Sequence, residues 1–340
     1  MYKIFFILAF LSNLSFGQYS FSGPFDVSSA AYLINASDNS QMDYSVYNPV
    51  NHESEVVVLL VHGFSRDRSV MQGFAEHFAS WGLTTITMNL LHSSIIDNDP
   101  TSDALDINIL ADQVAQGLPI VYVGQSSGGM RSILAASQNS NAIAVLGLDL
   151  VDALDPGTDN QYYAVSVVSN MMIPVWGMFG ESSACNANSN GVDVFQHAIQ
   201  GNAVILTEAD HCDFELPTNL FCSFLCEQEN YIFSEDDIKE VVLNLSTSFI
   251  LDIFNFEELN IQLWEPGNNY YDSLVTVGAL QQITSLSIDE KILKPEFFKI
   301  YQNYPNPFNS STKIKYEIFT SGYVKLVIID SKGNHVKPLI

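Results

Sequence analysis

The feature that most limits the possible folds is a series of short, unbroken apolar runs rich in β-branched residues, each followed by a segment with apolar residues at helical spacing. VVVLLV (56–61), PIVYV (119–123), AIAVLGL (142–148), IPVWGMF (173–179) and AVIL (203–206) lack the polar alternation of a half-solvated strand, and the β-branched TTITM (84–88) reads as a further strand. Such runs need cover on both faces. Between them, SVMQGFAEHFASWG, ALDINILADQVA, GGMRSILAASQ and DVFQHAI place apolar residues on one helical side. Strand alternating with helix predicts a mostly parallel sheet wrapped on both faces, a doubly wound α/β domain. Upstream, GPFDVSSAAYLI and MDYSVYNPV alternate like half-buried edge strands. Downstream, SEDDIKEVVLNLSTSFILDIF reads as a closing helix with Ser234 and Asp237 as a capping-box pair.

A chain of 340 residues has room for one large domain and an appendage, and charge marks where they part. Residues 18–290 carry four basic residues (Arg66, Arg68, Arg131, Lys239) against 35 acidic ones, whereas residues 291–340 carry eight lysines against three acids. So acidic a main domain repels nucleic acid and anionic membranes. The first residues, MYKIFFILAFLSNLSFGQ, set Lys3 ahead of an apolar run and end in small residues, predicting a signal peptide over 1–17. No later stretch is long and apolar enough to span a bilayer, so the mature chain is expected to be soluble. The boundaries read as a catalytic domain over 18–255, a linker or peripheral segment over 256–294, and a small all-β module over 295–340. Export permits disulfides, and Cys185, Cys212, Cys222 and Cys226 allow two bridges in three pairings. The C-x3-C of Cys222 and Cys226 has no matching pair for a zinc site. Asp97, Asp99, Asp103 and Asp106 miss the spacing of a calcium loop and read as solvated loop acids. No metal or cofactor is expected.

Chemistry concentrates at Gly124-Gln125-Ser126-Ser127-Gly128, between a strand and a helix pattern. That context suits a nucleophile elbow, whose turn is too sharp for bulky flanks and holds the serine above the sheet. The helix that follows favours developing negative charge. A serine needs a base, and the base a carboxylate. Of seven histidines only His211 ends a late strand pattern, in VILTEADHCDF. For the acid, Asp149 closes one strand run, Glu181 follows the next, and Asp152 is a third choice. The oxyanion donors are expected to be the backbone N–H groups of Ser127 and of Phe64, in His62-Gly63-Phe64 after the first buried strand.

Taken in order, GPFDV, HGFSRDRS, FAEHFASWGLTTITMN, GQSSGG, GLDLVDALDPG, GESSACNANSNGVDVF and ADHCDFE make residues 23–255 resemble the α/β-hydrolase superfamily. Within it they are similar to the branch of chlorophyllases and cutinase-like polyester hydrolases. The resemblance implies Ser126 as nucleophile, His211 as base, and Phe64 with Ser127 around the oxyanion. The chlorophyllase-like G-[IL]-D-P-V motif matches Asp149 with Leu150 in place of proline. The polyester-hydrolase pattern places its acid where Ser183 falls, so Asp149 is favoured over Glu181. Gln125 stands where His or Trp is common, and Ser127 where Met or Arg is usual. The resemblance also implies a Cys185–Cys212 bridge tying the acid-side loop to the His211 loop. Residues 295–340 resemble a type IX secretion sorting domain through NYPNPFN at 303–309, shortened relative to the family pattern. This implies type IX machinery as a partner, with secretion from or display on a Gram-negative cell.

The expected function is a secreted serine hydrolase cleaving carboxylic esters of small-molecule, lipid or polymeric substrates through an acyl-enzyme. A peptidase or acyltransferase on the same triad, or a catalytically idle surface binding protein, are the alternatives.

Overall fold

A computed structural model of the chain describes residues 17–154, 162–228, 230–254, 263–283, 298–300, 304–309, 311–318, 327–329 and 335–338. All but the last residue of the expected signal peptide lies outside them. The chain divides into two compact units, Met1–Thr284 and Ser285–Ile340.

The first unit is α/β. Its strands are β1 (Val27–Asn35), β2 (Gln41–Pro49), β3 (Val57–Val61), β4 (Thr84–Met88), β5 (Ile120–Gln125), β6 (Ala142–Leu148), β7 (Val175–Phe179), β8 (Gly201–Leu206) and β9 (Leu280–Gln282). They form one sheet in the order β1-β2-β4-β3-β5-β6-β7-β8-β9. From β4 to β8 every pairing is parallel, while β1 and β2 on one edge and β9 on the other run antiparallel.

The unbroken apolar runs have a direct cause in this arrangement. Every residue of β3 is buried, and successive side chains serve opposite faces. Val58 and Leu60 join a core with α1 (Gln72–Ser80), α7 (Glu235–Ile253) and α8 (Asn269–Val277). Val57, Leu59 and Val61 join the other core, with α2 (Pro100–Ala115), α3 (Ser127–Ala136), α4 (Val165–Val168) and α5 (Val192–His197). The chain passes from β3 outward to β4, then back across β3 to β5, so the winding reverses between β3 and β5. The carboxyl ends of those two strands therefore flank the crevice where this class of sheet places ligands.

Helix α2 begins earlier than the apolar period suggests. Asp99 caps it, accepting from the N–H groups of Thr101 and Ser102, with Pro100 in the first turn. This puts Asp103 and Asp106 on the buried side of a helix, which corrects the reading of both as solvated loop acids. Asp103 receives the Nε–H of the fully buried Arg131 at 2.6 Å, and the same guanidinium reaches Asn98 Oδ1 at 2.6 Å and the His92 carbonyl at 3.2 Å. One α3 cation thus ties down the loop between β4 and α2. Breaking such a buried pair strands a charge, so Arg131→Met is expected to lower unfolding stability by about 3–5 kcal/mol, as urea denaturation would measure.

Residues 263–283, part of the segment expected to be linker or peripheral, belong to the first unit. Trp264, Tyr270, Tyr271 and Leu274 are buried in the core on the α7 side, and β9 extends the sheet beyond β8. Trp264 donates its indole N–H to the Leu245 carbonyl at 2.8 Å. Among the described residues no helix is long and apolar enough to cross a membrane. In the second unit the described residues pair antiparallel, β10 (Phe298–Ile300) with β13 (Tyr316–Ile318), β11 (Tyr304–Asn309) with β12 (Ser311–Lys313), and β14 (Val327–Ile329) with β15 (His335–Pro338).

Candidate active site

Ser126 sits between β5 and α3 with φ 55° and ψ −131°, a conformation most side chains avoid. Holding it costs on the order of 1–3 kcal/mol, borne by the surrounding structure. The Ser126 N–H donates to the Leu148 carbonyl at 2.9 Å, and its carbonyl accepts from Gly129 and Val151. A side chain on Gly124 would strike the Gly128 backbone, and one on Gly128 would strike the carbonyls of Val61 and His62. The two glycines are therefore steric requirements of the turn, as their spacing in the sequence suggests.

On the β3 side lie Gly63 and Phe64. Neither the Phe64 N–H nor the Ser127 N–H donates to an acceptor among the described residues. His62, wholly buried, explains how the Phe64 donor is aimed. The Leu90 N–H donates to its Nε2 at 3.0 Å, which leaves the proton on Nδ1, and Nδ1–H donates to the Gly63 carbonyl at 2.8 Å. That carbonyl and the Phe64 N–H belong to one planar trans peptide and point in opposite directions. Anchoring the first orients the second.

Burial pushes the His62 imidazole down to about 4, a shift that the Gly63 carbonyl offsets only in part. A depressed folded value means that its contribution to stability is complete above the ordinary value of 6.5 and is lost as pH falls from there to about 4. We expect imidazole NMR signals to show His62 neutral, with its proton on Nδ1, from pH 8 down to about pH 5.

His211 opens a short 3-10 turn, His211–Phe214, just past β8, and is 5% exposed. Its turn is fixed by Asp210, which accepts from the Cys212 N–H at 2.7 Å, while Asp213 accepts from the Asp210 N–H at 2.9 Å. Nδ1 of His211 lies 2.6 Å from Asp149 Oδ2. An ionised carboxylate only accepts, so Nδ1 carries the proton and Nε2 offers a lone pair. Asp149, fully buried at φ 44° beyond β6, has its other oxygen bonded by the Gly180 N–H at 3.1 Å and by Asn186 Nδ2 at 3.2 Å.

The other two acids lie elsewhere. Glu181 is exposed and accepts from the Glu208 N–H at 3.0 Å. Asp152 accepts from the N–H groups of Tyr163, Ala164 and Val165. Ser126, 8% exposed, makes no hydrogen bond to His211 among the described residues. Instead Gln125 Nε2 stands 3.4 Å from His211 Nε2.

The cysteines pair as Cys185–Cys226 and Cys212–Cys222, with Cα separations of 5.9 and 5.7 Å, which corrects the expected Cys185–Cys212 bridge. The reason is α6 (Leu220–Cys226), a short helix that the sequence reading passes over. Cys222 and Cys226 lie one turn apart on it, so each meets a different loop. The result still joins the base loop to the acid loop, through the helix instead of directly. Sulfurs of Cys212, Cys222 and Cys226 gather within 4.8 Å, but disulfide sulfurs lack the thiolate a metal requires.

Two supporting residues escape the sequence reading. Asn186, buried beside Cys185, grips Asp149 and also donates to the Glu181 carbonyl at 2.9 Å. His62 was visible only as the first letter of His-Gly-Phe, since its role depends on Leu90, 28 residues away. Comparison of the chain with protein families and with curated proteins gives no match.

Proposed function

We propose that this protein is a secreted serine esterase of the α/β-hydrolase type, acting on carboxylic esters through an acyl-enzyme. The observation that carries the reading is the 2.6 Å His211–Asp149 hydrogen bond at the mouth of a strained serine turn. In this mechanism Ser126 Oγ attacks the ester carbonyl and passes its proton to His211 Nε2, a contact that closes as substrate fills the site. Asp149 keeps the imidazole in the required tautomer and stabilises its charged form. The Phe64 and Ser127 N–H groups receive the oxyanion, each contributing roughly 3 kcal/mol in the transition state. His211 then protonates the leaving alcohol and activates water for deacylation.

Support for apolar esters comes from α6, whose Leu220 and Phe224 are 89% and 83% exposed while the helix is bonded through Cys222 to the residue after the base. The lysine-bearing C-terminal segment with NYPNPFN supports a type IX sorting module and export to the cell surface or beyond. Assays with short p-nitrophenyl esters and matched p-nitroanilides test the reading. Turnover of the esters without the anilides is expected; turnover of neither would overturn it.

A further inference from the structure

Gln125 is 1% exposed, and its carboxamide lies across the site. One end, Nε2, stands 3.4 Å from His211 Nε2. The other, Oε1, lies where a side chain on Gly63 would collide with it, beside the residue that precedes the Phe64 donor. No protein group among the described residues donates to Oε1, although it is buried. A buried carbonyl oxygen without a donor is costly, and turning the carboxamide over would carry it to the His211 end, where a ligand can bring one.

We infer that Gln125 holds the hydrolytic water during deacylation, an inference that rests on the acyl-enzyme reading above. The leaving alcohol departs from the side of His211 Nε2, and water enters by the same side. One water O–H then donates to Nε2, which takes that proton as the water oxygen bonds to the acyl carbon. The second O–H needs an acceptor. Gln125 supplies it when rotation about its terminal bond turns Oε1 to where its Nε2 stands, 3.4 Å from His211 Nε2. The tetrahedral intermediate collapses by breaking the bond to Ser126 Oγ, and His211 returns the proton to that oxygen. Ester, water, acid and alcohol balance, with no redox change. In acylation no water is present to be held, so Gln125 acts on only one half of the cycle. It thereby favours hydrolysis over transfer of the acyl group to another alcohol.

Three variants of the full chain test this on p-nitrophenyl butyrate, an activated ester whose acylation outpaces deacylation. In Gln125→Met, which keeps length and removes the acceptor, kcat is expected to fall about 100-fold, with KM falling in parallel and kcat/KM held within about 2-fold. A stoichiometric burst of p-nitrophenol should precede slow turnover, and intact mass should trap the butyryl-enzyme. Gln125→Glu, which keeps an acceptor oxygen at the same reach, should recover most of the deacylation rate. With methanol added, Gln125→Met should give more methyl ester relative to acid than the wild type. Loss of kcat/KM together with kcat, or an unchanged rate of butyryl-enzyme breakdown, would overturn the role. Should Gln125→Met not fold, equal deacylation by the wild type and Gln125→Leu, or no recovery in Gln125→Glu, decides against it. Failure of the underlying reading looks different: Ser126→Ala would still give the burst.

Discussion

Ser126→Ala is expected to lower kcat on short esters by about 10⁶-fold, leaving the residual activity that an oxyanion pocket and binding alone can give. In the proposed mechanism Ser126 forms the acyl bond, and no neighbour is placed to substitute for it. Ser127, one residue on, has its hydroxyl buried without a partner, and its backbone begins α3. Stability should move the other way. Ser126 holds φ 55°, and glycine tolerates that conformation freely, so Ser126→Gly should lose activity yet unfold at equal or higher urea concentration than the wild type. Activity and stability that fell together would argue that the residue is a structural turn.

Asp149→Asn is expected to cost about 10⁴-fold in kcat with little change in fold. The amide can still accept from Gly180 and Asn186, but it can also turn its NH2 toward His211. That would favour the proton on Nε2, the wrong tautomer for a base. Glu181→Gln should stay within about 2-fold of the wild type, because Glu181 bonds the Glu208 backbone rather than the imidazole. Steady-state kinetics on the two variants separates the candidates. A larger loss in Glu181→Gln than in Asp149→Asn would reverse the assignment of the acid.

Strand position alone left the choice between these acids open, with only the resemblance favouring Asp149, and the reason is geometric. Both follow adjacent parallel strands, β6 and β7, so both emerge at the same end of the sheet. What separates them is the turn at Asp149 and the grip of Asn186, neither of which leaves a pattern in the chain. The serine turn was legible because a strand, two glycines and a helix are contiguous. His211 was legible because it ends the last long buried run. The parallel sheet followed from apolar runs that only double burial explains.

Other elements were missed for equally local reasons. LFCSFLC has no polar face, so it does not read as an amphipathic helix; its solvent-facing side is itself apolar. The residues left the cysteine pairing open, and the Cys185–Cys212 bridge implied by the resemblance takes no account of α6. Asp103 and Asp106 looked like solvated acids since their neutralising and neighbouring groups, Arg131 and His92, come from other parts of the chain. Residues 263–283 gave a weak pattern, yet two tyrosines and a tryptophan were enough to anchor them to α7.

The central claim is that Ser126 is made nucleophilic by His211. The most direct measurement is intact-mass and peptide mapping of the chain after treatment with a fluorophosphonate. One adduct per chain on Ser126 is expected, forming at least about 10³-fold more slowly in His211→Ala. No adduct, an adduct on another serine, or equal labelling rates without the imidazole would contradict the account.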